Sequence, residues 1–213
     1  MNTKEERIAQ FDHYVLSVHL STDRLDEAAR HIKAINPDFP NAPDRKSMMQ
    51  VLVDTCSSTC AVMILKQYGY RIDDDAERAI LAAVGYHHGR GIKRQDMYHV
   101  IKRFIPQARY FEKITPDILA DLVRHRDRHS AHVGMPGYKM GHVVVVDGVR
   151  RKWWTGRITH FFVRDPMHGT GFTHNGKPMK GWVDVSKFDP TSLPPAYLFS
   201  AIATNPFQQN RMD

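Results

Sequence analysis

A cysteine at the start of an apolar segment is the first residue in this chain that could do chemistry. Cys56 follows the segment Gln50-Val-Leu-Val-Asp-Thr, and an apolar helical pattern runs from it to a predicted C-terminal cap at Gly69. At the start of a helix, unpaired backbone N–H groups and the positive end of the helix dipole point at the side chain. This environment favours the thiolate, the nucleophilic form of cysteine. Cys56 is therefore predicted to be a nucleophile in acyl transfer.

Gln50 is the candidate partner for the negative charge that such a reaction develops. It precedes Cys56 by six positions (56 − 50). Its side-chain amide and the backbone N–H of Cys56 can donate hydrogen bonds to an oxyanion that forms beside the sulfur. Cys60 lies one turn later on the apolar side of the predicted helix, and we interpret it as a small buried residue.

A thiol nucleophile also needs an imidazole to hold its proton, and His142 is the best candidate among the 13 histidines. It starts the most hydrophobic predicted strand, His142 to Gly148. The next predicted strand, 155–164, is followed by Asp165. If the two strands form an antiparallel hairpin, the start of one lies beside the end of the other, so His142 and Asp165 should be cross-strand neighbours. A carboxylate at that place would orient the imidazole ring.

These motifs resemble the active-site sequences of papain-like cysteine peptidases, and most closely the compact bacterial branch. That branch includes the bacteriocin-leader peptidases and some effector proteases of pathogens. Members carry Gln six positions before Cys, then His after Gly, then Asp before Pro, in the order of Gln50, Cys56, His142 and Asp165. The chain departs from the usual pattern at Ser57, where Trp or Gly is frequent. The resemblance implies a Cys-His-Asp triad with Gln50 at the oxyanion, and it implies no cofactor and no metal.

The function that the resemblance implies is hydrolysis of peptide bonds through an acyl-enzyme, with a protein or peptide as substrate. A bacterial effector or toxin protease would be its setting. Two alternatives stay open at this point. Glutamine deamidases and transglutaminases use the same triad, and a papain-like domain without activity can serve as a binding module.

The order of helical and extended patterns predicts an α+β, papain-like fold with a helical first half and an antiparallel sheet in the second half. We expect a peptidase domain over 46–213, preceded by a helical hairpin over 1–45 that ends in a proline-rich linker. That hairpin is expected to pack on the core, and docking of a partner is the alternative. The patterns predict these further elements: helices over 4–20, 22–35, 75–84, 94–104 and from Thr115, and strands over 107–112, 130–135, 182–185 and 197–203.

Composition narrows the class of protein. The 213 residues include 42% hydrophobic and 25% charged residues, as in globular proteins, and they carry a formal charge of +7. Because the basic residues are scattered, a solvated basic surface is a better interpretation than a nucleic-acid site. No segment is apolar enough to predict a membrane span, and no secretory signal is seen. Two cysteines favour a reducing compartment, so we expect a cytoplasmic protein as synthesised, with export by a route without a cleaved signal left open.

Three other groups of residues carry side chains that could act in a site. The histidines at 125, 129 and 132 lie among arginines without a glutamate base, so a basic helix end is preferred to a zinc site. The loop Gly85–Gly91 lacks the spacing of a phosphate-binding loop, and contact with substrate is a weaker hypothesis. Trp153 and Trp154 are expected to cover an edge of the core, with substrate contact as the alternative.

Overall fold

The computed structural model describes residues 22–34, 48, 50, 54–73, 75–89, 91–111, 114–123, 130–135, 141–167, 179–188 and 200–204. The helices in these ranges are α1 Thr22–His31, α2 Cys56–Gln67, α3 Ala76–Ala83, α4 Arg94–Phe104 and α5 Pro116–Leu122. The strands are β1 Ile32–Ala34, β2 Tyr70–Ile72, β3 Arg109–Phe111, β4 Ala131–Met135, β5 His142–Arg151, β6 Ile158–Asp165, β7 Met179–Asp184 and β8 Ser200–Ala203. A 3₁₀ turn, Val185–Phe188, follows β7.

The central helix α2 lies in the interior of the protein. All of its residues except Lys66 are buried. Gly69, which follows the C-terminal cap Tyr68, has a φ of +82°, a left-handed conformation that glycine adopts without a steric penalty and that ends helices. The predicted start at Cys56 and the predicted end near Gly69 are therefore both confirmed.

Six strands form one antiparallel sheet in the order β3-β8-β4-β5-β6-β7. Successive side chains of β5 point to opposite faces, as the pleat of a strand requires. Val143 and Val145 belong to the core beside α2, and Val144 and Val146 belong to the core beside α5. The continuous apolar sequence of β5 is thus explained by burial on both faces.

The hairpin of β5 and β6 differs from the prediction at both inner ends. We expected the first strand to end at Gly148, but β5 continues to Arg151, and β6 starts at Ile158. The pairing register shifts between Val146 and Gly148, so Asp147 is the extra residue of a β-bulge, and Gly148 continues the strand instead of ending it in a turn. The chain reverses further on, over 153–155.

The described part of the N-terminal region packs on the core. Helix α1 ends at His31, earlier than predicted, because Ile32–Ala34 pairs antiparallel with Tyr70–Ile72. Ile32 is buried in the same core as α2, and Leu25 packs against it. The predicted helix over 4–20, the proline-rich linker and the boundary at 45 lie outside the described residues.

Within the described ranges, no helix combines the length and the apolar composition that crossing a bilayer requires.

Candidate active site

Cys56 is the first residue of α2. Its side chain is only 8% exposed. Thr55 precedes it as the N-cap residue but forms no side-chain cap, and its carbonyl accepts the first helical hydrogen bond from the Thr59 N–H at 3.1 Å. The backbone N–H groups before Thr59 have no partner within the helix, and this is the part of the helix dipole that favours negative charge.

The ring of His142 is hydrogen-bonded to the carboxylate of Asp165. Nε2 of His142 lies 2.8 Å from Oδ1 of Asp165, and both side chains are buried. Val145 pairs with Arg164, so the register carries Asp165 opposite Val144, and His142 lies diagonally two positions away (144 − 142). The two residues are thus on adjacent strands as expected, although they are not directly opposite each other.

The turn after β6 holds the Asp165 carboxylate in place. Its Oδ1 also accepts a hydrogen bond of 2.8 Å from the backbone N–H of Met167. Aspartate before proline commonly makes this side-chain turn. The turn role and the contact with the His142 ring therefore coexist in one residue, as the sequence predicted.

His142 also forms a hydrogen bond with the side chain of Cys56. Because Nε2 is engaged by Asp165, Nδ1 is the ring atom left for the sulfur. Burial disfavours the charged ring, but the hydrogen bonds and negative charges of Asp165 and Cys56 outweigh it and raise the pKa of His142 to about 9. The ring therefore carries a proton at neutral pH.

Gln50 lies beside the end of β6. Its backbone N–H donates a hydrogen bond of 2.9 Å to the carbonyl of Pro166, the residue that follows Asp165. The structure thereby brings all four residues predicted for the site into one region, although Gln50, Cys56, His142 and Asp165 are far apart in the chain.

Ser57 and His132 form a second buried contact beside the candidate nucleophile. Nε2 of His132 is 3.1 Å from the hydroxyl and 3.1 Å from the carbonyl of Ser57. A carbonyl only accepts hydrogen bonds, so Nε2 carries the hydrogen and cannot act as a base toward the Ser57 hydroxyl. Burial, with the Arg94 charge in support, lowers the pKa of His132 to about 4, so the ring is neutral. His132 therefore does not activate Ser57 as a competing nucleophile.

The interpretation of His132 as part of a basic, solvated helix end is wrong, whereas the strand predicted over 130–135 is confirmed as β4, Ala131–Met135. His132 lies in β4 and is buried, because the chain from Ala131 onward forms an interior strand between β5 and β8. His125 and His129 lie outside the described residues. No group of three or more metal-ligating side chains is present in the part of the chain that the structure describes.

Arg94, the first residue of α4, is a residue near Cys56 that the sequence analysis missed. Its guanidinium lies directly over Gly134 of β4, so close that a β-carbon on this glycine would meet Cζ at 2.1 Å. Burial lowers the pKa of Arg94, while the charges of Tyr110 and Cys56 oppose this effect. A glycine within a buried strand indicates such a close approach, and that signal was available in the sequence.

The first turn of α2 is further held by a partly buried acid, Glu77. The hydroxyls of Ser58 and Thr59 lie 2.9 and 2.7 Å from Oε1 of Glu77. Burial raises the pKa of Glu77, and the two hydroxyl contacts oppose this rise. These bonds connect α2 to α3 close to the candidate nucleophile.

Asp54, two positions before Cys56, connects the site to the glycine-rich loop. The Tyr86 hydroxyl donates a hydrogen bond to one carboxylate oxygen of Asp54, and the Gly89 backbone N–H donates to the other at 2.5 Å. The loop is therefore bonded to the turn that leads into α2. Contact of this loop with a substrate remains a prediction.

Cys60 has the surroundings of a structural residue. It is fully buried, and its sulfur donates a weak hydrogen bond of 3.4 Å to the carbonyl of Val143. Burial, followed by the charge of Cys56, raises the pKa of the Cys60 thiol well above its usual range. These facts fit the interpretation of Cys60 as a small buried residue.

A buried ion pair joins α2 to the sheet on the same side. Arg164 donates from Nε to one oxygen of Asp147 at 2.6 Å and from Nη2 to the other at 2.9 Å. Nη2 also contacts Oε1 of Gln67 at 2.5 Å, and the Ser130 hydroxyl lies 2.8 Å from that oxygen. Asp147 is the residue at the bulge of β5, which turns its carboxylate toward this group.

Comparison of the chain with known proteins shows a similarity of fold. No protein-family model matches the chain, and no curated protein matches it. The chain is similar in structure to a protein from Bacillus anthracis described as a candidate C39-like peptidase, with a TM-score of 0.53 at 12% identity. The match covers 75% of this chain and 94% of that one. With the helices and the six-stranded antiparallel sheet, it confirms the predicted α+β, papain-like fold.

Proposed function

We propose that this chain is a thiol peptidase of the papain-like class, with Cys56 as nucleophile and His142 and Asp165 as its partners. The observation that carries the proposal is the contact of one buried imidazole with both the sulfur and the carboxylate. A nucleophile, a base within bonding reach of it, and a third group that orients the base are the geometric signature of covalent catalysis.

In the proposed reaction, the Cys56 thiolate forms a bond to the carbonyl carbon of the substrate, and the carbonyl electrons move to its oxygen. The backbone N–H of Cys56 and the side-chain amide of Gln50 stabilise this oxyanion. When the oxyanion collapses, the C–N bond breaks and protonated His142 gives its proton to the leaving amine. Water then adds to the carbonyl carbon of the thioester while His142 accepts a proton from it. The C–S bond breaks, which releases the carboxylic acid and restores the Cys56 thiolate beside protonated His142.

Asp165 has two roles in this proposal. Its bond to Nε2 fixes the ring so that Nδ1 faces the sulfur. Its charge stabilises the protonated ring, which agrees with a pKa of about 9 for His142. A protonated ring near neutral pH is the form that the leaving amine requires.

The finer parts of the proposal depend on the resemblance of the motifs. They are membership of the compact bacterial branch, a setting as effector or toxin protease, and a protein or peptide as substrate. The Bacillus anthracis protein is described as a candidate peptidase, which supports the choice of peptidase chemistry among the reactions of this fold. The compartment and the docking of a partner at the N-terminal region also remain predictions.

Replacing the proposed nucleophile tests the function, and the second cysteine provides a matched control. We expect Cys56→Ala to lose both cleavage of a peptide library and labelling by a peptide-like thiol electrophile. Cys60→Ala removes an equal number of atoms from the same helix and should keep both activities. Thermal melting of each variant separates loss of chemistry from loss of folding. Full activity in Cys56→Ala would end the proposal.

The same experiment separates the alternatives that share this chemistry. Products examined by mass spectrometry show chain scission for a peptidase. They show an unbroken chain with Gln converted to Glu for a deamidase, and joined chains for a transglutaminase. If Cys56 reacts with no electrophile near neutral pH, the domain is better explained as a binding module.

A further inference from the structure

Two tryptophans are exposed at the far end of the β5–β6 hairpin. Residues 150–157, which we call the hairpin tip, read Arg-Arg-Lys-Trp-Trp-Thr-Gly-Arg. Trp153 is 89% exposed and Trp154 is 63% exposed. The expectation that they cover a core edge is therefore wrong. Large apolar side chains exposed together commonly mark an interaction surface.

The turn that presents these two rings is well bonded. The Lys152 N–H donates to the Arg157 carbonyl, and the Gly156 N–H donates to the Lys152 carbonyl, each at 2.8 Å. Nη1 of Arg151 donates to the Gly156 carbonyl at 3.0 Å. Gly156 has a φ of +68°, which a larger residue would rarely adopt. The exposure of the tryptophans thus belongs to a defined turn.

The hairpin tip is strongly basic. It contains four cationic residues and no acidic one. The Lys152 ammonium lies 5.7 Å from the ring centre of Trp154. Arg150 lies 4.3 Å from the ring of Trp182, which is itself 41% exposed. Arg151 is partly compensated by two carboxylates, Asp121 at 3.8 Å and Asp117 at 4.0 Å, which leaves three cations of the tip outside this pairing. Positive charge and aromatic surface therefore alternate over one region.

We propose that the hairpin tip is a peripheral binding site for a membrane surface rich in anionic phospholipid. Tryptophan is favoured at the level of lipid headgroups, where its ring is partly apolar and its N–H remains hydrated. Lysine and arginine beside it are attracted to anionic headgroups. The tip of a hairpin is convex, which suits a deformable planar partner, whereas small ligands are held in concave sites.

The geometry of the rings argues against a nucleic-acid site. Binding of a single strand uses aromatic rings on which successive bases stack. The rings of Trp153 and Trp154 meet edge to face, with their centres 5.5 Å apart and their planes at 84°. Two adjacent bases cannot stack on both of them in this arrangement.

The hairpin tip and the candidate active site lie at opposite ends of the same strands. Nine residue steps separate His142 from Arg151 along β5 (151 − 142), and each step advances the strand by about 3.3 Å, which gives roughly 30 Å. A lipid surface at the tip would therefore not cover the region around Cys56. Membrane binding is thus independent of the proposed peptidase function.

Vesicle binding by the full chain tests the proposal. We expect the protein to sediment with phosphatidylcholine vesicles that contain phosphatidylglycerol and to remain in solution with phosphatidylcholine alone. Tryptophan fluorescence should shift to the blue on binding. The variant Trp153→Ser/Trp154→Ser should lose the shift and the sedimentation. Each cation near such a surface strengthens partition by about fivefold, so Arg150→Gln/Lys152→Gln should weaken it by more than about tenfold.

A matched control uses cations elsewhere on the surface. Lys102→Gln/Arg103→Gln removes the same charge from α4 and should bind vesicles as the unaltered protein does. Melting curves check that each variant is folded. Three results would overturn the proposal: binding that the tip variants leave unchanged, equal binding to vesicles without anionic lipid, or absence of vesicle binding. Binding of a single-stranded oligonucleotide that the tip variants abolish, without vesicle binding, would assign the tip to nucleic acid instead.

Discussion

The variant Asp165→Asn tests the electrostatics of the candidate site directly. It keeps the size of the side chain and an oxygen that can accept the hydrogen bond from the Met167 N–H. It removes the negative charge that faces Nε2 of His142 at 2.8 Å. Burial continues to disfavour the charged ring, and only Cys56 remains to oppose it. We therefore expect the pKa of His142 to fall from about 9 toward or below its ordinary value of 6.5.

The size of the effect on the free energy of unfolding follows from the linkage between protonation and folding. A pKa raised from 6.5 to about 9 corresponds to roughly 3 kcal/mol of stabilisation, since each tenfold change in affinity for a proton is worth about 1.4 kcal/mol. Because the pKa is higher in the folded state, this stabilisation is fully present below about pH 6.5 and is lost as the pH rises through about 9. In Asp165→Asn this dependence of unfolding on pH should largely disappear.

Two measurements check this prediction. The ring protons of His142 followed by NMR give its pKa in each protein, and urea unfolding between pH 6 and 9.5 gives the change in the free energy of unfolding. Asp184→Asn, a matched change of an exposed carboxylate on β7, should alter neither quantity appreciably. If His142 in Asp165→Asn still titrated near 9, the Asp165 carboxylate would not be the cause and the reasoning would be refuted.

Two further predictions concern charged groups that the structure places around the central helix. Arg94→Gln removes a cation near Cys56, so it should slow alkylation of Cys56 by anionic iodoacetate more than alkylation by neutral iodoacetamide. Arg94→Lys keeps the charge and should react with the two reagents as the unaltered protein does. Equal slowing of both reagents in Arg94→Gln would contradict a role of the charge. Asp147→Ala should lower the free energy of unfolding by about 3–5 kcal/mol, since it leaves Arg164 buried without its carboxylate. Urea unfolding measures this loss, and a loss below about 1 kcal/mol would show that the pair contributes little to stability.

Much of the fold was predictable because its signals are local. The central helix has a continuous apolar face and a glycine where it ends, and the structure starts and ends it at the expected places. Helix α4 runs over Arg94–Phe104, as its periodicity predicted. The ends of β5 and β6 were predicted less well, since a glycine at a bulge and a glycine at a turn have the same appearance in a sequence.

The four residues proposed for the site were named from short motifs, and the structure brings them into one region. Their catalytic roles remain a proposal until the variants are measured. The surroundings of the site were not predictable in the same way. The sequence favours a solvated helix end for His132 and predicts only a helical position for Arg94. In the structure His132 contacts Ser57, and Arg94 lies on Gly134.

The sequence by itself determined where the central helix and the main strands of the sheet lie and which side chains are candidates for the chemistry, because periodicity, glycines and reactive groups are properties of neighbouring residues. Only the tertiary structure decided which charges face each other. Asp147 and Arg164 come from adjacent strands, and Gln67 reaches them from the central helix. Such partners depend on strand register and on a one-residue bulge, and a shift of one residue turns a side chain to the other face of the sheet.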